Sequence, residues 1–339
     1  MSAPLADRRG ATGRLPDRPG PGRVALALLY GLGARCHAAW PRRRVRTDKP
    51  LVSVGALEVG GVGKTPAVAA LAGLLAAAGR RPGLLTGLAG QARGHRLLSA
   101  GEPGFADAAP DEASLLAARL PAMPLVAARS KWEGARRLDA DPRCDLILLD
   151  DGFQHHRLAR ALDLVLLSPD VPLRSARVLP AGPLRERPSA LERADAFLLP
   201  EGGAPAGLPE RPVFRFDVVV ESVVDLAGRP LDLACERCLA IAAIARPERF
   251  EAAAAGLCTL AGRLRFRDHR AWNIALRREL AAALAANDGA RPLLTEKDAA
   301  RWGRHWDLPG PAPAVLRVAL RWSDPGALGR WIAGRLAGA

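Results

Sequence analysis

Lysine, cysteine and long apolar runs are all scarce in this sequence. Only four of its 49 basic residues are lysine, at positions 49, 64, 131 and 297. Because arginine otherwise supplies the positive charge, a lysine indicates a place where a compact ammonium group is needed. The five cysteines form no disulfide framework in a chain of 339 residues. The single C-x-x-C pair at 235–238 has no second pair at zinc-ribbon spacing, so no metal is assigned to it.

The positive charge is concentrated at the N-terminus. The net charge is +14, and residues 1–49 hold eleven Arg or Lys against three Asp, which leaves +8 for that segment. Such a segment suits nucleic acid or an anionic membrane face. The apolar run at 24–34 lies inside it and is about half as long as a transmembrane helix requires. We therefore expect a disordered basic tail at 1–21 and an interfacial helix on the inner leaflet at 22–41, with no nucleic-acid partner. An ordinary helix packed on the domain is the alternative.

Short apolar runs alternate with helical stretches from residue 51 onward. The runs are continuously apolar rather than alternating, which is typical of a buried, mainly parallel sheet with helices between its strands. The clearest of them lie at 51–54, 83–86, 124–128, 145–149, 162–167 and 196–199.

The Pro- and Gly-rich segment 201–212 predicts a linker between two domains. A partly alternating ribbon strand and a second βα series follow it. We predict an α/β protein in which a P-loop NTPase-like α/β/α sandwich spans residues 42–212. A second, smaller α/β domain joined by a β-ribbon spans 213–339, and its last helix returns to the first domain.

A glycine-rich turn lies between a predicted strand and a predicted helix. A phosphate group requires inward-pointing backbone N–H groups and the positive end of a helix. Lys64 would reach the β- and γ-phosphates of a nucleotide, and the Thr65 hydroxyl would bind Mg²⁺. The general P-loop pattern has Gly where this chain has Glu58. A mere Gly-rich turn is the alternative. The predicted nucleotide-binding residues are Glu58, Val59, Gly60, Gly61, Val62, Gly63, Lys64 and Thr65.

The apolar run at 145–149 ends in two carboxylates, Asp150 and Asp151. An acid at the carboxyl edge of a strand beside a P-loop can hold Mg²⁺ directly or through water. Adjacent carboxylates repel each other unless a cation lies near them. We predict both as Mg²⁺ ligands together with Thr65, the alternative being a helix-capping pair.

Two classes of P-loop protein are excluded by missing residues. GTPases recognise guanine with Asn-Lys-x-Asp, and the string Thr295-Glu-Lys-Asp298 has the wrong order. ParA- and MinD-like ATPases carry a second Lys just before the paired glycines, where this chain has Val59. A small-molecule or lipid kinase remains.

Three strings resemble signatures of the tetraacyldisaccharide 4'-kinases of lipid A synthesis: Asp150-Asp-Gly-Phe-Gln-His155, Leu179-Pro-Ala-Gly-Pro-Leu-Arg-Glu186 and Thr295-Glu-Lys-Asp-Ala299. They occur in the family's order and spacing. The resemblance implies transfer of the ATP γ-phosphate to the 4'-hydroxyl of tetraacyldisaccharide 1-phosphate. It also implies ATP and Mg²⁺ as cofactors, no obligate protein partner, and peripheral attachment to the cytoplasmic side of the bacterial inner membrane.

The same resemblance implies the catalytic residues. The family pairs an Asp of a G-D-E-P segment with a His of a D-H-H segment, which match Asp111 and His269 here, acting with Lys64. By the same resemblance Glu186 helps to arrange Mg²⁺. A helix cap is the alternative role for Asp111, and a structural role the alternative for His269. Alternative functions are phosphoryl transfer to another membrane sugar-lipid, or nucleotide binding by a non-catalytic copy.

Overall fold

The computed structural model describes residues 44–88, 96–171, 173–268 and 270–338. It also describes seven residues of the N-terminal segment, namely Gly22, Leu26, Ala27, Leu29, Tyr30, Gly31 and Gly33. The chain divides into two compact units. The larger comprises Asp17–Val219 and Ala319–Ala339, and the smaller is built on Val220–Val318.

The strands named here follow the chain order. They are β1 (Leu51–Ala56), β2 (Pro82–Gly87), β3 (Leu97–Ser99), β4 (Leu125–Ala128), β5 (Leu146–Asp150), β6 (Leu162–Leu166), β7 (Ala196–Pro200), β8 (Val213–Asp225), β9 (Arg237–Ala242), β10 (Thr259–Arg265), β11 (Arg291–Thr295) and β12 (Ala314–Trp322). The α-helices are α1 (Lys64–Ala77), α2 (Phe105–Ala108), α3 (Asp111–Arg119), α4 (Lys131–Asp139), α5 (Pro247–Ala255), α6 (Ile274–Ala286), α7 (Glu296–Trp302) and α8 (Pro325–Ala337).

The sheet of the larger unit has the strand order β8-β7-β6-β1-β5-β2-β4-β3. Neighbouring strands from β8 to β4 pair in parallel, and the edge strand β3 is antiparallel to β4. Strands β1, β5 and β6 are buried along their whole length. A parallel sheet covered on both faces has strands that are buried and largely apolar in this way, so the predicted parallel sheet is confirmed.

Helices cover both faces of this sheet. One face packs on α1, α3 and α8 through Leu71, Leu116 and Leu328, and the other packs on α4 through Ala135 and Leu138. Successive residues of each strand enter opposite layers because side chains alternate along a strand. The predicted α/β/α sandwich is therefore confirmed, and α8 contributes to its core.

The smaller unit is also an α/β structure. Its strands follow the order β10-β9-β11-β12-β8, with β9 parallel to both β10 and β11. Helix α6 packs on one face through Leu276 and Leu280, and α5 packs on the other through Phe250 and Ala254. Strands β8 and β12 each belong partly to both units.

The described residues of the N-terminal segment are helical. Ala27 is buried in the hydrophobic cluster formed with Leu173 and Val178. Leu26, Leu29 and Tyr30 are instead 59%, 69% and 42% exposed. Within the part of the chain that the structure describes, no helix combines the length and apolar character needed to cross a bilayer.

Two helical glycines provide a matched test of packing. A Cβ at Gly134 in α4 would lie 2.4 Å from Leu85 Cδ1 and 2.9 Å from Ala128 Cβ. A Cβ at Gly73 in α1 would meet nothing within 4 Å. We expect Gly134→Ala to lower the free energy of unfolding by about 1–3 kcal/mol through overpacking, and Gly73→Ala to raise it by about 0.5–1 kcal/mol through helix propensity. Denaturant unfolding followed by circular dichroism measures both, and effects of the same sign would contradict this packing.

Candidate active site

The glycine-rich loop joins β1 to α1, as predicted. Gly60 and Gly63 have φ angles of 113° and 91°, a left-handed backbone that glycine adopts without steric cost. Helix α1 begins at Lys64 and has no acidic residue in its first turn. The N-terminal N–H groups and the positive end of the helix dipole therefore suit an anion such as a phosphate.

Glu58 stands where the general P-loop pattern has Gly, and its side chain has a structural role. Its side chain is buried, and its Oε1 accepts a hydrogen bond of 2.7 Å from the Ser168 N–H beyond β6. Two backbone hydrogen bonds flank it, from Val59 N to Pro183 O and from Arg185 N to Leu57 O, each 2.8 Å long. The Leu179–Glu186 signature is thus tied directly to the start of the P-loop.

Asp151 joins the P-loop to the same signature. One carboxylate oxygen lies 3.6 Å from Lys64 Nζ, and the other accepts a 2.7 Å hydrogen bond from Arg185. Burial alone would raise the pKa of Asp151, but Lys64 and Arg185 outweigh it and hold that pKa below its usual value. The carboxylate therefore stays ionised between two cations.

Asp150 ends β5 in a different environment. Burial raises its pKa to about 6, although the nearby Lys131 ammonium opposes the shift. Its Oδ1 is buried and has no hydrogen-bond partner among the described residues. A buried carboxylate oxygen of this kind is costly unless a donor or a cation satisfies it.

A divalent cation fits these carboxylates. Both are hard oxygen ligands, which Mg²⁺ prefers, and the unsatisfied Asp150 oxygen would gain a partner. Among the described side chains, no group of three or more His, Cys, Asp or Glu could hold a metal. Proteins usually bind Mg²⁺ by one or two carboxylates together with water and substrate phosphates.

The turn after Asp151 is docked on β1. A Cβ at Gly152 would lie 2.5 Å from Ser53 Oγ, and a Cβ at Gly55 would lie 2.6 Å from Phe153 Cβ. Gln154 adds a 3.0 Å hydrogen bond from its Nε2 to Ala56 O. The Asp-Asp-Gly-Phe-Gln string therefore fixes the end of β5 beside the strand that leads into the P-loop.

Lys131 is a site residue that the sequence analysis does not assign. Its buried ammonium donates to the backbone carbonyl oxygens of Asp150 at 2.5 Å and Asp151 at 2.8 Å. Burial lowers its pKa to about 8. The rarity of lysine in this chain was the signal that could have identified it.

Glu186 lies in a second ion-pair cluster. Arg193 donates to its two carboxylate oxygens at 3.1 and 3.0 Å, and His156 Nε2 lies 3.8 Å from Oε1. Glu186 therefore lies between Arg193 and His156. The residue before it, Arg185, forms an ion pair with Asp151.

Asp111 is the first residue of α3 and is 8% exposed. The N-cap residue is Pro110, so Asp111 lies one position inside the helix and in its first turn. The charge of its neighbour Glu112 acts to raise the pKa of Asp150, although burial is the largest cause. The start of α3 thus lies within electrostatic range of the paired aspartates, and sequence reasoning did not single out Glu112.

His269 lies outside the described residues. The residues on either side of it contact α7: Asp268 lies 4.0 Å from Lys297 Nζ, and Arg270 O accepts a 2.9 Å hydrogen bond from Trp302 Nε1. The Thr-Glu-Lys-Asp string begins this helix, where Thr295 is the N-cap and accepts from Asp298 N–H. These contacts all lie in the smaller unit.

A glycine-rich loop between β1 and α1, beside paired aspartates at the end of the adjacent parallel strand β5, defines the P-loop class of nucleotide-binding α/β proteins. A family model described as tetraacyldisaccharide-1-P 4'-kinase (LpxK) matches residues 24–337. The chain therefore belongs to the tetraacyldisaccharide 4'-kinase family.

Individual relatives agree with this assignment. The chain is 40% identical to a tetraacyldisaccharide 4'-kinase of Syntrophotalea carbinolica, over 88% of this chain and 86% of that protein. It is 36% identical to the corresponding kinase of a Bradyrhizobium species, over 93% of each. A crystal structure of the "apo" form of LpxK from Aquifex aeolicus in complex with ATP has the same fold, with a TM-score of 0.71. That likeness covers 92% of this chain and 98% of the other at 23% identity.

The buried role of Glu58 generates a prediction. Glu58→Gly restores the general P-loop pattern but removes the acceptor of the Ser168 N–H bond. We expect it to lower the free energy of unfolding by about 1–3 kcal/mol, because a buried hydrogen bond to a charged group is lost. Glu58→Gln keeps an acceptor oxygen and is the control. Denaturant unfolding measures both, and a Gly variant as stable as the wild type would refute the role given to Glu58.

Proposed function

We propose that this protein is a lipid kinase that transfers the γ-phosphate of ATP to the 4'-hydroxyl of tetraacyldisaccharide 1-phosphate, the lipid A precursor. Family membership over residues 24–337 supports the substrate. The observation that carries the chemistry is the Asp151 carboxylate held between Lys64 of the P-loop and Arg185. That arrangement brings cations and carboxylates together at the helix end where a nucleotide's phosphates would lie.

Each residue of the predicted set has a role in this proposal. The backbone N–H groups of the loop at 58–65 would bind the phosphates of ATP, and Lys64 would stabilise charge on the β- and γ-phosphates. Thr65, Asp150 and Asp151 would hold Mg²⁺, with Glu186 helping to arrange it. When bound, Mg²⁺ neutralises the negative charge that develops on the transferred phosphoryl group.

The acceptor hydroxyl requires a base. We assign this role to Asp111, with His269 supporting it, so that the 4'-hydroxyl proton passes to the Asp111 carboxylate as the oxygen bonds to phosphorus. The bond between phosphorus and the bridging oxygen breaks and ADP leaves. The buried position of Asp111 at the start of α3, next to Glu112, supports this assignment.

The N-terminal segment supports attachment to a membrane. Leu26, Leu29 and Tyr30 lie three and four positions apart, so they share one exposed face of a helix. Exposed apolar residues beside a strongly basic segment fit the interface of an anionic bilayer. We propose that this face binds the inner leaflet of the inner membrane and presents the kinase to its lipid substrate.

Phosphoryl transfer in detergent micelles tests the proposed reaction. With Mg²⁺-ATP and tetraacyldisaccharide 1-phosphate, the wild type should phosphorylate the lipid. Lys64→Ala should lower kcat/KM by about 10²-fold or more, because it removes a preorganised charge on the phosphates. Lys49→Ala is the control, since Lys49 instead donates to the carbonyl oxygens of Leu138 and Asp141. Folded wild-type protein that binds ATP and leaves this lipid unchanged would overturn the proposal.

Vesicle cosedimentation tests the membrane face. Leu26→Asp combined with Leu29→Asp should weaken binding to anionic phospholipid vesicles by roughly tenfold or more, because two apolar side chains are no longer buried in the interface. Ile274→Asp is the matched control, because Ile274 is 70% exposed and lies in the smaller unit. Equal vesicle binding by the double variant and the control would refute this orientation.

A further inference from the structure

Lys131 occupies a position that disfavours a cation for three reasons. Its ammonium is buried, and desolvation penalises the charged form. It is the first residue of α4, where the helix dipole is positive. The charges of Arg185 and Lys64 also oppose it, whereas the charges of Asp150 and Asp151 favour it. An ammonium group kept in such a place requires compensating contacts.

Those contacts are two consecutive backbone carbonyls. Nζ donates to Asp150 O at 2.5 Å and to Asp151 O at 2.8 Å. Successive carbonyls of an extended strand point to opposite sides, so one donor reaches both only where the strand turns. Asp151 has a φ of 51°, and no other non-glycine residue in the described ranges has a positive φ.

The left-handed conformation is unfavourable for most residues with a Cβ, and Asp is one of the few that adopt it. The chain after Asp151 is fixed, because Gly152 packs against Ser53 and Leu149 too closely for any Cβ. The Lys131 ammonium binds the backbone carbonyls on both sides of the Asp151 Cα. The direction of both carboxylates from this turn therefore depends on Lys131.

We propose that Lys131 is a positioning residue that fixes the backbone at Asp150 and Asp151 so that both carboxylates are directed at the divalent cation. This inference rests on the proposed function, since it takes these aspartates as the cation's protein ligands. Lys131 acts through the main chain, because its hydrogen bonds go to the backbone carbonyls of Asp150 and Asp151.

The direction of the change in metal affinity distinguishes a positioning role of Lys131 from a purely electrostatic one. Lys131 is itself a cation, so removing only its charge from the neighbourhood of a metal ion would strengthen metal binding by Coulomb's law. Removing its two hydrogen bonds to the backbone carbonyls, here called the clamp, would weaken metal binding, because the carboxylates would lose their direction. A substitution that keeps the length of the side chain but has no donor distinguishes the two.

Lys49 provides a matched control at the other end of α4. Its ammonium also donates to two backbone carbonyls, those of Leu138 at 2.9 Å and Asp141 at 2.6 Å. These residues lie at the C-terminal end of α4 and in the turn that follows, away from the turn at Asp150. Lys49→Met therefore removes the same type of clamp from a place with no proposed role in cation binding.

The experiment measures Mn²⁺ binding by electron paramagnetic resonance, in the full-length protein saturated with a non-hydrolysable ATP analogue. We expect Lys131→Met to raise the Kd for Mn²⁺ by about tenfold, the usual effect of losing a partner behind the metal ligands. Lys131→Arg, which keeps the donors, and Lys49→Met should both remain close to the wild type. Analogue binding without metal should be unchanged in all four proteins.

Unchanged or tighter Mn²⁺ binding by Lys131→Met would overturn the inference. A wild type that binds the analogue but no Mn²⁺ would instead refute the proposed cation site itself, so the two failures are distinguishable. If Lys131→Met does not fold, Lys131→Gln replaces it, because a neutral amide is shorter and cannot span both carbonyls. Weaker Mn²⁺ binding by that variant supports the clamp, and wild-type binding refutes it.

Discussion

The ionised carboxylate of Asp151 connects the parts of the site. It lies between Lys64, which begins α1, and Arg185, which belongs to the Leu179–Glu186 signature. Three segments that are far apart in the sequence therefore meet at one side chain. Two cations this close would repel each other without the anion between them, and the carboxylate would be costly to bury without the cations. Each segment is thus held in place by the charges of the others.

The sheet explains why this meeting occurs where it does. Strands β1 and β5 are parallel neighbours, so their carboxyl ends lie at the same edge and the segments that follow them are adjacent. Both strands are largely apolar and buried along their whole length, and that pattern was sufficient to predict them, their burial and the loop between β1 and α1. The paired aspartates were predictable for the same reason, because they directly follow an apolar run.

The contacts of Lys131 and Glu58 were harder to predict from the sequence. Lys131 begins a short helix, α4, whose sequence is largely charged and whose buried face is narrow, so no apolar periodicity identified the helix. Glu58 was predicted as part of the phosphate-binding loop, yet its side chain accepts a hydrogen bond from Ser168, more than a hundred residues away. Sequence patterns record local spacing, whereas these interactions join strand ends that only the folded sheet brings together.

The larger unit is discontinuous in sequence, because α8, which follows β12, packs in the same core as α1 through Leu328 and Ile332. During synthesis on the ribosome, the smaller unit is therefore complete before the nucleotide-binding unit has its last helix. A nascent chain that stops shortly after β12 would have all of the P-loop, both aspartates and Arg185, yet the apolar face on which α8 packs would lie open to water. Residues translated after the smaller unit thus control when the larger unit reaches its native core.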